Sequence, residues 1–160
     1  MTTNDRWQIL NNINEWIRFA DAKAGVVLAA CGVLGGIVIA RLPSDQSTFR
    51  FWGLAAVLVT LGLAIVCAAI CLGPSLGKKI PPTSLMYFGH ISRKYRENFS
   101  GFAQDFEGLG IGDKISEEIT SQIWVNSMIA TKKYRYVNVS ILLFITSLLM
   151  AGLTLSISRL

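Results

Sequence analysis

Charge is scarce in this chain. Only 16% of its residues are Asp, Glu, Lys or Arg, where a soluble domain carries about 25%. Charge is costly in hydrocarbon, so the deficit points to membrane spans, and it leaves too little polar chain for a large independent soluble core. Histidine occurs once and cysteine three times. Cys31, Cys67 and Cys71 all fall in apolar runs, without histidine or carboxylate at ligand spacing. That excludes a zinc set and argues against disulfides; the three thiols read as small buried hydrophobes. Paired carboxylates in a plausible cleft, an activated nucleophile and a metal cluster are all missing. The chain is therefore expected not to be an enzyme and to hold no metal or cofactor.

What is present is apolar: 52% of the residues are hydrophobic. Three runs are long enough to cross a bilayer. The first covers 24–41, the second 51–72 and the third 137–157, and the fold class expected is an all-α integral membrane protein with three transmembrane helices. Before the first run, residues 1–23 read as an amphipathic helix, with Ile9, Leu10, Ile13, Trp16, Ile17 and Ala20 at steps of three and four. Glu15, Arg18 and Asp21 step by three along another side, as a charge ladder would. Nothing breaks the pattern between this helix and the first span, so one continuous helix is expected. Residues 42–50 form an external loop. Residues 73–136 form a helical region, and 158–160 an external tail.

Within the spans, small residues repeat every four positions. Gly32, Gly36 and Ala40 form one stripe, and Ala56, Thr60, Ala64 and Ala68 another. Such stripes let helices approach closely, and a homo-oligomer is expected to use them. The net charge of +5 reflects topology rather than nucleic acid binding. Nine of the Lys and Arg residues lie in 73–136, three in 1–23, and three (Arg41, Arg50, Arg159) elsewhere. The positive-inside rule then places the N-terminus and 73–136 in the cytoplasm and the C-terminus outside.

In the middle segment, Pro81-Pro82-Thr83 reads as a helix stop and start. A helix is expected from Ser84 to about Phe99, and Gly101 to Asp113 reads as a loop. Ser116 is placed to cap a long helix that runs without a break into the third span, about 40 residues and roughly 60 Å. Two local patterns fail on detail. Gly73 to Lys79 has the wrong glycine spacing for a phosphate loop and no following Ser or Thr. Leu28-Ala29-Ala30-Cys31 imitates a lipoprotein box, but its apolar run continues past the cysteine.

The long helix carries a heptad seam: Ile119, Ile123, Asn126, Ala130, Lys133 and Val137. Asn126 and Lys133 interrupt its apolar character, with Gln122 and Ser127 beside them. Either a buried Asn controls register, or the seam opens into a polar pocket for a small ligand. Arg18 and Lys23 before the first span, with Lys132, Lys133 and Arg135 before the third, would gather cations for lipid headgroups or for an anionic ligand. Tyr87, Phe88 and His90 make an aromatic cluster suited to stacking or to packing against a partner.

Three segments resemble a known family. Trp16-Ile17-Arg18-Phe19-Ala20-Asp21-Ala22-Lys23-Ala24-Gly25, Ser84-Leu85-Met86-Tyr87-Phe88-Gly89-His90-Ile91, and Gln122-Ile123-Trp124-Val125-Asn126-Ser127-Met128-Ile129-Ala130 with Lys133-Tyr134-Arg135 are similar to the Pycsar transmembrane effectors of bacterial antiphage defence. The resemblance implies a partner pyrimidine nucleotide cyclase and a signal ligand, cCMP or cUMP. It implies impairment of the bacterial inner membrane and abortive infection. Phosphate would fall to a lysine or arginine. Asn126 or Gln122 would read the base edge, and Tyr87 or Phe88 would stack on it. The alternative is a constitutive scaffold subunit of a membrane complex with no nucleotide ligand.

Overall fold

A computed structural model describes residues 2–45, 49–74, 84–110 and 114–157. Every regular element among them is helical: α1 (Thr3–Ala40), α2 (Phe49–Leu72), α3 (Phe88–Lys94), α4 (Phe99–Glu107), a 3₁₀ turn (Gly108–Gly110) and α5 (Lys114–Ile157). Helices α1, α2 and α5 are each long and apolar enough to cross a bilayer. At 38 and 44 residues, α1 and α5 exceed the ~20 that a span needs. The chain divides into two compact units, one drawn from 2–16, 84–110 and 114–130, the other from 17–45, 49–74 and 131–157.

In the second, apolar unit, each long helix presents a face at alternating steps of three and four, the spacing of left-handed packing. Ala20, Ala24, Val27, Cys31 and Val38 are the buried face of α1, and Leu54, Val57, Leu61, Ala64, Ala68 and Cys71 that of α2. Val26, Val33, Ile39, Trp52, Val59, Leu142, Leu149 and Leu153 point outward and are exposed, as lipid-facing side chains must be. Helices α2 and α5 run antiparallel. Ser140 donates to the Ala64 carbonyl at 2.8 Å and Ser147 to Thr60 at 2.7 Å. A Cβ on Gly53 would lie 2.7 Å from Thr154 Cγ2, so only glycine admits this approach.

The two small-residue stripes part company here. Ala64 and Ala68 are fully buried in the unit, with Ala56 and Thr60 half-buried. Gly32, Gly36 and Ala40 are exposed instead, and a Cβ at either glycine meets nothing within 4 Å. Among the described residues this stripe packs no helix, because the buried face of α1 lies on the Ala24–Cys31–Val38 side.

In the first, polar unit, α1 opens with a reciprocal cap. The Thr2 amide donates to Asp5 Oδ2 at 2.7 Å and the Asp5 amide to Thr2 Oγ1 at 3.2 Å. The helix expected from Ser84 to about Phe99 is shorter: α3 covers Phe88–Lys94 alone. The glycine-rich stretch expected as loop contains α4. Asn98 caps it by accepting from the Gly101 amide at 2.9 Å. A Cβ on Gly101 would lie 2.6 Å from Asn98 Nδ2, the movable end of the capping side chain. Helix α5 starts at Lys114, so Ser116 lies inside the first turn rather than capping it. Its carbonyl accepts from Arg6 at 2.8 Å, and its hydroxyl lies 3.2 Å from that of Thr3. Lys78, Lys79, the Pro81-Pro82-Thr83 signal and the 158–160 tail lie outside the described residues.

Candidate functional site

The ten residues expected to bind ligand fall in different units. Arg18, Lys23, Lys133 and Arg135 belong to the apolar unit, and Tyr87, Phe88, His90, Gln122, Asn126 and Ser127 to the polar one.

In the polar unit the organising residue is Ser84, which is buried. Its hydroxyl donates to Glu118 Oε2 at 2.8 Å and accepts from Gln122 Nε2 at 2.8 Å and from the Met86 amide at 3.2 Å. Its own amide donates to His90 Nδ1 at 3.2 Å. His90 packs edge-on against Tyr87, with ring centroids 5.0 Å apart. This hub pins the chain before α3 onto α5 and holds Gln122, Tyr87 and His90 together. Asn126 is taken by a different partner, donating to Asn14 Oδ1 at 2.8 Å. Ser127 donates to the Ile123 carbonyl of its own helix at 2.7 Å. Phe88 opens α3, but its side chain lies outside the described atoms.

Beside the hub is an open cavity of about 530 Å³, within the ~300–1,000 Å³ range of small-molecule sites. Lys94 and Lys114 face it, with Asp105, Glu117, Glu118 and Ser121. None of the ten expected residues lines it; Gln122 reaches it indirectly, through Ser84 to Glu118. Lys94 donates to Asp105 at 2.9 Å, and the Tyr95 hydroxyl to the same oxygen at 2.5 Å. The Tyr95 hydrogen bond, then Lys94, holds the Asp105 carboxyl below its ordinary 3.8. Contact with Tyr95 and with Asp105 raises Lys94 above 10.5. The two signs fix a window. The depressed carboxylate contributes above its unfolded value and loses that contribution as pH falls through its lowered folded value. The raised ammonium contributes below its unfolded value and loses it as pH rises through its folded value. Amide protection in α3 and α4 should therefore be flat from about pH 5 to 9 and fall on stronger acidification. Tyr95→Phe should bring the acid-side loss to higher pH. Hydrogen exchange across the pH series reads both.

In the apolar unit Lys133 is buried, 7% exposed. Its ammonium donates to Asp21 Oδ1 at 2.5 Å and to the Cys71 carbonyl at 2.7 Å, joining α5 to α1 and α2 at one point. The Cys71 thiol sits within 3.5 Å of the Lys133 carbonyl and 3.8 Å of the Ala20 carbonyl. Asp21, expected in a ladder along α1, turns to this lysine. Lys23 lies over the Tyr134 ring, 5.4 Å from its centroid, and Arg18 and Arg135 are exposed. The expected pool of cations thus loses its central member to an ion pair within the bundle.

The match to a family model decides the identity of this helical membrane protein. Residues 5–158 match the model of the Pycsar effector protein domain, PycTM. The chain belongs to the PycTM family. Pycsar effector protein PtPycTM of Propioniciclava tarda is a relative, 28% identical over 148 residues, which cover 88% of this chain and 72% of that one. No solved structure matches the chain. The PycTM match reaches from α1 to α5, so the capped α4, the Ser84 hub and the Lys133 clasp all lie within the family's domain.

Proposed function

We propose that this PycTM protein senses a cyclic pyrimidine mononucleotide, cCMP or cUMP, made by a partner cyclase, and answers by impairing the bacterial inner membrane so that infection aborts. The observation that carries the reading is the family match over nearly the whole of a chain that has three membrane-length helices. The polar unit supplies the kind of place such a ligand needs. In the cavity, Lys114 provides an ammonium group for the single phosphate charge, while Lys94 is held by Asp105. Glu117, Glu118 and Ser121 offer polar groups for the ribose and the base edge. The Ser84 hub couples that wall to Tyr87, His90 and Gln122. The basic-residue distribution supports a topology with the N-terminus and 73–136 in the cytoplasm and the C-terminus outside, where a cytoplasmic cyclase product meets the polar unit.

The test is equilibrium binding of radiolabelled cCMP and cUMP to the full chain in lipid nanodiscs, with cAMP as a control. Saturable binding of one pyrimidine nucleotide, and growth arrest that depends on the co-expressed cyclase, are expected. Binding of neither, with arrest indifferent to the cyclase, overturns the proposal.

A further inference from the structure

Helix α4 has a clear apolar side, yet no residue of it is buried. Phe99, Ala103 and Phe106 step by four and three along one line of the helix. Phe99 is 80% exposed and Phe106 54%. The Phe102 ring packs against Tyr95 and against Phe106, with 5.5 Å between centroids in each case. Asp105 ties α4 to Lys94 of α3. These contacts leave the Phe99–Phe106 line uncovered among the described residues. At nine residues, α4 is shorter than the ~12 at which a lone helix becomes marginally stable in water. Helices this short are held by burying an apolar face, so the line calls for a cover.

Charge and side-chain size point to what covers it. A helix favours cations in its last turn. The last turn of α4 holds Glu107 instead, and no basic residue. The flank before α4 carries Arg93, Lys94, Arg96 and Glu97 and is net positive. In an antiparallel pair of α4 helices, Glu107 would lie beside the N-terminus of the partner's helix, near the partner's Arg96. Its carboxylate then meets a helix end and a cation that favour it. The same pairing sets Phe99 against the partner's Phe106, where rings gain by stacking or edge contact. Ala103 leaves room at the centre for close approach. A bilayer surface suits α4 less well. Helices that lie on one carry Lys and Arg on their polar face, whereas that of α4 carries Ser100, Gln104, Asp105 and Glu107.

We infer that α4 is the surface on which a second copy of this chain docks, the two helices pairing antiparallel through Phe99, Ala103 and Phe106. Asp105, on another side of α4, lines the cavity, so the pair forms behind one wall of that site. The docking stands whether or not a nucleotide binds there. Disulfide capture tests it, on the full chain in membranes isolated from cells without the cyclase. Ala103→Cys, oxidised with copper phenanthroline, should give dimer in excess of the parent chain, and Gln104→Cys, on another side of α4, should not. Adding Phe99→Asp should cut that dimer about tenfold. A carboxylate suits the first turn of α4, so the helix itself survives this change. Adding Glu107→Arg should cut the dimer about three- to fivefold, and Arg96→Glu on top of it should restore the yield. No dimer from Ala103→Cys overturns the docking. A thiol that then resists a water-soluble maleimide assigns the face to the bilayer, and one that reacts freely leaves it to another protein. Dimer that survives Phe99→Asp unchanged, or that does not follow the charge exchange, overturns it as well.

Discussion

Asp21→Asn and Lys133→Met should each make the chain toxic without any cyclase. In the bundle, the Lys133 ammonium is held by Asp21 and the Cys71 carbonyl, and it is the one charged tie joining α1, α2 and α5 among the described residues. Removing one partner of a fully buried pair costs about 3–5 kcal/mol. The Asp21 side chain is 36% exposed, which reduces the cost here to about 1–3 kcal/mol. At 1.4 kcal/mol per decade, the clasped arrangement loses roughly 5- to 150-fold in population. Lys133→Met keeps the length of the side chain and leaves Asp21 near solvent, so the protein should still reach the membrane. The readout is growth after induction in cells lacking the cyclase, with membrane abundance followed by immunoblot. A ligand-contacting Lys133 gives the opposite result: Lys133→Met would then be silent even with the cyclase present.

Lys114→Glu should weaken nucleotide binding about 10- to 100-fold, the loss of one charge-assisted hydrogen bond worth roughly 1.5–3 kcal/mol. Lys114 is the better test of the two cavity lysines, because Lys94 is already committed to Asp105. Lys114 sits in the first turn of α5, where a carboxylate suits the helix dipole. The substitution should therefore not unfold the helix. Equilibrium binding in nanodiscs reads the affinity, and far-ultraviolet circular dichroism checks the helix. Unchanged affinity for either pyrimidine nucleotide would remove the cavity as the binding site, leaving the Tyr87–His90 side of the Ser84 hub as the next place to look.

The long helices were legible because hydrophobic length and periodicity are properties of a contiguous stretch. The continuity of α1 and α5 could be read from the lack of any breaker. The partners of the polar seam residues were harder to read. Asn126 and Lys133 stood out on α5 as polar residues seven apart in an apolar stripe. The matching pair on α1, Asn14 and Asp21, is also seven apart, in the stripe of Leu10, Ile17, Ala24, Leu28 and Cys31. Two equal interruptions on two helices were the available signal for Asn14–Asn126 and Asp21–Lys133. The same spacing carried forward to Ser140, Ser147 and Thr154 would have revealed their contacts with α2, but hydroxyls inside a span do not disturb its hydropathy. The cavity was out of reach for another reason. Lys94, Asp105 and Glu117 lie on three different helices, and α4, which brings Asp105 to the others, was hidden in a stretch whose glycines read as loop.

Lys133, Ser140, Ser147 and Thr154 recur at every seventh position on the buried face of α5, and helical winding sets how long they can stay aligned. An unstrained helix slips about 20° for every seven residues, so over this stretch a straight α5 would carry Thr154 roughly 60° out of phase with Lys133. Thr154 nonetheless sits in the notch left by Gly53 while Lys133 meets Cys71. A left-handed coil of α5 and α2 about each other would keep both ends in phase. A modest unwinding of that coil, with Lys133 still seated, would turn Thr154 out of its notch, and Gly53→Val should impose the same turn by filling it.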